Sequence, residues 1–289
     1  MSVTPTPAAL RVWRSGWSVR IALLVLVAVA VLAIAGPSLA PQDALAQNAS
    51  ATLQEPSLAH LLGTDYLGRD VLSRLFAGAP ASLLSAVSAA LIGLVLGAVP
   101  GALSAFVPRV AEWFSLRIVD ALLALPFILF AIVFAALLGN GLVQATLAIG
   151  ILVAPGFFRI ARAATLRVRD SQYIDAAGYL GASAWWILTR HVWRQVAPNL
   201  VVATVSALGG ALLAVASLTF LGIGVQPPAP TWGGMLSSDL GYLGQRPWGP
   251  LAPALAIIVT VGALNLVADA ARDLLGADAP TKRKAAAHV

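Results

Sequence analysis

Long apolar runs separated by short charged segments dominate this chain. Six of them, roughly 20–40, 81–106, 121–139, 142–158, 200–222 and 250–268, approach the ~20 residues that cross the hydrocarbon of a bilayer. All are predicted to be helices, because an isolated span satisfies its backbone polar groups in lipid only through its own hydrogen bonds. The fourth run is short and carries Pro155-Gly156 near its end, so its boundary is the least sharply drawn. In the second run Gly93, Gly97 and Gly101 recur every fourth residue and share one helix face. Small residues at that spacing let two helix backbones approach closely, and bundle packing is the simplest role for them.

The first run has a competing explanation. Arg11, Arg14 and Arg20 precede an apolar stretch that leads to Ala44-Leu45-Ala46, the layout of a secretory signal with a cleavage site. The run reaches nearly spanning length, and keeping it gives six helices and both termini on one side, which favours an uncleaved span.

Composition turns the pattern into a class. Hydrophobic residues make up 59% of the chain and charged residues 10%, with a mean hydropathy of +0.87, far from the quarter-charged make-up of a soluble domain. The net charge of +6 does not point to nucleic acid, because the basic residues are split among the segments between runs with no aromatic-interleaved groove. Cysteine is absent, which removes disulfides, zinc clusters and thiol nucleophiles. His60, His191 and His288 are too scattered to form a metal site.

The basic residues also set an orientation. With the N-terminus inside, the inner segments hold all of the 18 Lys and Arg except Arg69, Arg74 and Arg246, a strong positive-inside asymmetry. The expected layout is an inner tail over 1–20, a first span over 21–40, an outer segment over 41–80, a helical domain over 81–273 with an inner loop at 159–199, and an inner tail over 274–289.

Two polar stretches carry the chemistry. In the outer segment, Gly63-Thr64-Asp65-Tyr66-Leu67-Gly68-Arg69-Asp70 offers glycines for tight turns. Its Asp65, Arg69 and Asp70 could tie a charge-assisted hydrogen-bonded knot at the membrane surface. Fixing the loop is a more economical role for this knot than touching substrate. In the inner loop, Asp175-Ala176-Ala177 is followed by Gly181, Arg190-His191 and Pro198-Asn199. Asp175 stands where a helix start favours an acid.

Both stretches resemble one family. The inner one is similar to the "EAA" loop of permease subunits in binding-protein-dependent ABC importers, with Asp175 in place of Glu and six residues between His191 and Pro198 where the family has two. The outer one resembles the Gly-Thr-Asp-x-x-Gly-Arg-Asp signature of the C-type permease subunit of dipeptide, oligopeptide and nickel importers. Arg117 to Pro126, Ser217 to Pro228 and Ala268 to Asp273 fit the same family. The resemblance implies an all-α integral membrane protein, a six-helix bundle of the type I ABC importer (MetI-like) class. It also implies a bacterial cytoplasmic-membrane location, a second permease subunit, two ATP-binding subunits below and a substrate-binding protein above. Asp175, Ala176, Ala177, Gly181, Arg190, His191, Pro198 and Asn199 would then form the ATPase-coupling region.

Absences bound the energy source. A P-loop needs a Lys after a Gly-rich turn, and the only lysines are Lys282 and Lys284, so this chain cannot hydrolyse ATP by that motif, and the resemblance assigns ATP and magnesium to the partner subunits. Ion-driven carriers bury ionisable groups in their helices, whereas 81–106, 200–222 and 250–268 contain none. A membrane enzyme lacks a carboxylate pair, a Ser-His arrangement or a His-Glu metal motif near a helix end. The reading is a non-catalytic transport subunit for di- or oligopeptides. Nickel chelate, opine or glutathione are alternative cargoes, and a stand-alone channel or secondary carrier is the competing class.

Overall fold

The computed structural model of the chain describes residues 16–276 apart from 170, 173, 175–178, 180 and 182. These residues form helices joined by turns, with one isolated β-bridge between Thr64 and Asp70. In chain order the helices are α1 (Trp17–Leu39), α2 (Val71–Leu103), α3 (Arg109–Ala124), α4 (Phe127–Leu138), α5 (Leu142–Arg169), α6 (Ala184–Ile187), α7 (Trp193–Phe220), α8 (Trp232–Asp239) and α9 (Trp248–Gly276). A π-helical turn, Leu188–Val192, joins α6 to α7.

Five helices among the described residues are long and apolar enough to cross a membrane, not the six expected. The difference lies in 121–139. Pro126 has no N–H to donate and drives the preceding residue out of the helical region, and Leu125 accordingly sits at φ −78°, ψ 130°. The apolar run is thereby split between the end of α3 and the 12-residue α4.

Other boundaries shift because charged residues do not stop a helix whose inner face remains apolar. The second span starts at Val71, where Asp70 caps it, and not at 81. The fourth passes through Pro155 and continues to Arg169, well beyond 158. Phe157, Ala161, Ala164 and Val168 carry one buried stripe along that extension, the i, i+4, i+7 repeat of a core-facing helix. Val192, Val196 and Leu200 do the same ahead of the fifth span. The loop expected over 159–199 is replaced at both ends by helix: Arg190 and His191 lie in the π turn, and Pro198 and Asn199 lie inside α7.

The core is built on α2 and α5, the most extensively packed pair, with α7 against both, α9 chiefly against α7 and α1, and α1 along α2 and α9. Gly93, Gly97 and Gly101 are buried on α2 and face Val153, Ala154 and Phe158 of α5. The α2–α3 turn is pinned to α5 by Arg162, which donates to Ser104 O and Oγ at 3.1 and 3.0 Å and pairs with Glu112. Buried hydroxyls in the spans bond backward to their own helix: Thr165 to Ala161 O at 2.8 Å and Thr260 to Ala256 O at 2.7 Å. This is how a lone hydroxyl satisfies itself away from water.

Candidate functional site: an ionic knot at one end and a connecting segment at the other

At the end of the bundle where α2 begins, Gly63 to Arg74 fold into a compact knot. Asp65 is 2% exposed. Its Oδ1 accepts from Leu67 N and Arg69 N, both at 2.9 Å, and its Oδ2 accepts from Arg69 Nε at 2.7 Å. Arg74 Nε lies 3.4 Å from the same Oδ2, and Arg74 Nη1 donates to Ala44 O at 3.2 Å. Gly68 sits at φ +72°, and a Cβ there would stand 1.9 Å from Asn48 O. Gly63, at φ +73°, faces Gln54 O in the same way. Left-handed backbone and close strand approach together demand glycine. Thr64 closes the loop by donating to Ala51 O and accepting from Gln54 N.

Asp70 does separate work. It does not pair with Arg69; its Oδ2 accepts from Ser73 N and Ser73 Oγ at 2.8 and 2.6 Å, capping α2, and its Oδ1 meets His60 Nδ1 at 3.0 Å. An acid at this position satisfies an orphan N–H and complements the helix dipole.

The knot also reaches across the sequence. Arg69 lies over the Tyr66 ring, which stacks on Tyr242 at 5.4 Å, and Arg246 donates to Leu53 O. Trp232, 1% exposed, donates Nε1–H to Leu75 O at 2.9 Å, and its N–H bonds Ser82 Oγ at 3.0 Å. Asn140 bridges the start of α5 to the end of α7 by accepting from Gly224 N at 2.7 Å and donating to Gly222 O at 3.1 Å.

Asp239, 3% exposed at the end of α8, completes the cluster. Burial, then the neighbouring Asp65 charge, push its carboxyl up to about 6, against the pull of Arg74 and Arg69. The folded state therefore holds this proton more tightly than the unfolded chain, whose Asp titrates near ~3.9. Stability gained from protonation is largest near pH 4 and is lost as pH rises through 6. Asp239→Asn imitates the protonated form. Its thermal midpoint is expected to exceed that of the native chain at pH 7.5, with the gap closing by pH 4.5. A gap that widens on acidification would contradict this assignment.

At the opposite end, α5 connects to α6 through 170–183. Asp175, Ala176 and Ala177 lie outside the described residues. Gly181 has φ +84° and no described residue near its missing Cβ, so its requirement among the described residues is conformational. Tyr179 is almost wholly exposed. Ile174 and Ile187 anchor the segment: both are buried in one cluster with Val168, Val192 and Val196. Trp186 stacks edge-on with His191 at 4.9 Å, and Ser183 Oγ accepts from Trp186 N. Arg190 and Asn199 stand at this same end, separated from the knot by the full length of the spans.

Arg74, Asp239, Trp232 and Asn140 were not singled out by sequence reasoning. The groups that meet Asp239, Trp232 and Asn140 lie far along the chain, and Arg74 reaches back to Asp65 only once the loop between them has folded.

Five apolar spans among the described residues, with a capped ionic knot at one end and an anchored connecting segment at the other, define a multi-pass membrane protein. Residues 93–279 match the model of the binding-protein-dependent transport system inner membrane component. The chain belongs to that family. It is 38% identical over 259 residues to a di/tripeptide transport system permease protein of Pseudomonas aeruginosa, covering 88% of this chain and 86% of that one. A probable D,D-dipeptide transport system permease protein of Escherichia coli K12 is 35% identical over 90% of this chain and 87% of its own. A glutathione transport system permease protein of Pectobacterium atrosepticum is 39% identical over 76% and 73%. In fold, the chain is similar to a chain of the inward-facing MetNI methionine ABC transporter, with a TM-score of 0.57 at 20% identity over 71% of this chain and 95% of that one.

Proposed function

We propose that this chain is the non-catalytic permease subunit of an ATP-driven importer of di- or oligopeptides. It lines one pathway together with a second, related permease. Two ATP-binding subunits that hold ATP and magnesium dock beneath the 170–183 segment, and a substrate-binding protein docks over the Gly63–Arg74 knot. Both termini then face the cytoplasm, in keeping with the distribution of basic residues. The peptide cargo is supported by the dipeptide and di/tripeptide permeases that match this chain across 86–87% of their own lengths.

The observation that carries the coupling role is the anchoring of the connecting segment. Ile174 and Ile187 sit in the same apolar cluster as Val168 at the end of α5 and Val196 on α7. A displacement of 170–183 must therefore move the ends of two spanning helices, and closely packed elements shift between discrete arrangements rather than deform smoothly. ATP-driven closure of the subunits below would act on this lever, with Asp175, Ala176 and Ala177 in the contact.

The test is ATP hydrolysis by the reconstituted complex with and without binding protein and peptide. Asp175→Lys is expected to abolish most of the peptide stimulation and to weaken co-purification of the ATPase subunits, since truncating one partner of an interfacial charge pair costs ~2–5 kcal/mol. Thermal stability of the isolated chain should barely change, because an acid at a helix start contributes only ~0.3–1 kcal/mol. In the same membranes, a cysteine at Ser50 should react with an impermeant thiol reagent from outside. Stimulation and assembly that survive Asp175→Lys remove this residue from the contact, and transport by the chain without any ATPase overturns the subunit reading.

A further inference from the structure

A cavity of about 600 Å³ opens between α5, α7 and α9 at the end of the bundle away from the knot. Its polar lining is Arg159, Arg167, Arg272, Asn199 and Ser206, and its apolar lining includes Ile160. Among the described residues no carboxylate lines it. Arg159 pairs with Asp120 at 2.9 Å and Arg272 with Asp269 at 3.2 Å, and both pairs are more than two-fifths exposed on each side. Exposed pairs of this kind hold their partners weakly. Arg167 has no acidic or hydrogen-bonding partner among the described residues.

Depth identifies what such a cavity holds. At the rise of an α-helix, Arg159 lies about 26 Å and Arg167 about 38 Å along α5 from Leu142. Arg272 lies about 36 Å along α9 from Trp248, and Asn199 about 32 Å along α7 from Phe220. Hydrocarbon is ~30 Å thick, so the three arginines bracket its boundary with the headgroup layer. Ser206, at about 21 Å, and the apolar lining remain inside it. The cavity is thus cationic at headgroup level and apolar below, the two-part shape of an amphiphile.

We propose that this cavity is a binding site for an anionic phospholipid, with its phosphate on Arg159, Arg167 and Arg272 and its upper acyl chain along the apolar lining. Basic pockets between spanning helices favour anionic headgroups by the same electrostatics that draw polybasic segments to such membranes, and guanidinium groups match phosphate oxygens in geometry. The site rests on the spans alone and on neither the cargo nor the ATPase partners. Occupancy would bridge α5, α7 and α9 at the ends nearest the connecting segment.

The experiment is native mass spectrometry of the full chain in detergent doped with phosphatidylglycerol or with phosphatidylethanolamine, with soluble glycerol 3-phosphate as competitor. One retained phosphatidylglycerol is expected, at least tenfold preferred over phosphatidylethanolamine and undisturbed by glycerol 3-phosphate at equal concentration. The triple variant Arg159→Gln, Arg167→Gln, Arg272→Gln should lose that preference, whereas Arg109→Gln, Arg117→Gln, Arg194→Gln, which removes as much charge elsewhere, should keep it. Arg167→Gln alone breaks no ion pair among the described residues and should lower retention several-fold with an unchanged lipid-free thermal midpoint. Equal retention of the two lipids, equal retention by both triple variants, or full displacement by glycerol 3-phosphate, which marks a soluble-anion site, would each overturn the lipid assignment.

Discussion

Replacing Asp65 with alanine is expected to unfasten the Gly63–Arg74 segment from the bundle, with a loss of about 3–5 kcal/mol, the usual result of deleting one partner of a buried ion pair. The magnitude follows from what is left behind. Arg69 and Arg74 are 4% and 5% exposed, and without Asp65 the buried Arg69 keeps the Tyr66 ring, Arg74 keeps Ala44 O, and Asp239 is the remaining carboxylate that acts on both. Leu67 N and Arg69 N also lose their acceptor, each a further desolvation cost of ~1–3 kcal/mol if water cannot reach it. Asp239 responds in the opposite sense. One cause of its raised pKa disappears with the Asp65 charge, so the carboxyl should titrate lower and take over part of the pairing with Arg74. Asp70→Ala makes the comparison sharp, because a lost cap costs ~0.5–2 kcal/mol. Thermal unfolding and limited proteolysis across 43–62 should rank Asp65→Ala as more damaging than Asp70→Ala. The reverse order would mean that the cap, and not the ion pair, holds the segment.

The sequence placed Asp65, Arg69 and Asp70 in one knot without separating the ion pair from the cap, although distance along the chain brings both within local rules. Asp65 and Arg69 are four residues apart, Asp70 and Ser73 three, so turn geometry and capping rules reach them directly. Asp239 and Trp232 join the same structure through contacts between elements far apart in the chain, and no local rule connects Trp232 to Leu75 or Asp239 to Asp65. The helix count failed for a related reason. Hydropathy averaged over a window registered 121–139 as one run and passed over what Pro126 does to Leu125. It also ended the fourth span and delayed the fifth where arginines entered the window, although Phe157, Ala161, Ala164 and Val168, and then Val192, Val196 and Leu200, carry the helical stripe through them in plain sight. The family resemblance reached further than either rule, since the matched region spans 93–279.

Gly97→Val is expected to separate α2 from α5 and to leave the chain poorly extractable as a monodisperse species. A Cβ on Gly97 would stand 2.1 Å from Ala154 O and 2.7 Å from Phe157 Cβ. On Gly101 it would stand 2.5 Å from Phe158 O. These obstacles include helix backbone, which no rotamer change removes, so the axes themselves must move apart. Overpacking of a tight core costs ~1–3 kcal/mol and more when the backbone must yield, and small residues are what permit such close crossings in lipid. Gly93 is more forgiving because its nearest obstacle, at 2.3 Å, is Val153 Cγ2, the end of a side chain. Gly210 has open space and serves as the control. The expected order of damage to thermal midpoint and monodispersity is Gly97→Val above Gly93→Ala, with Gly210→Ala near native. A native-like Gly97→Val would show that α5 has room to slide on α2. That outcome would also weaken the mechanical link between the two ends of the molecule, because α2 starts at the ionic knot and α5 runs into the connecting segment, and their backbone contact joins one to the other.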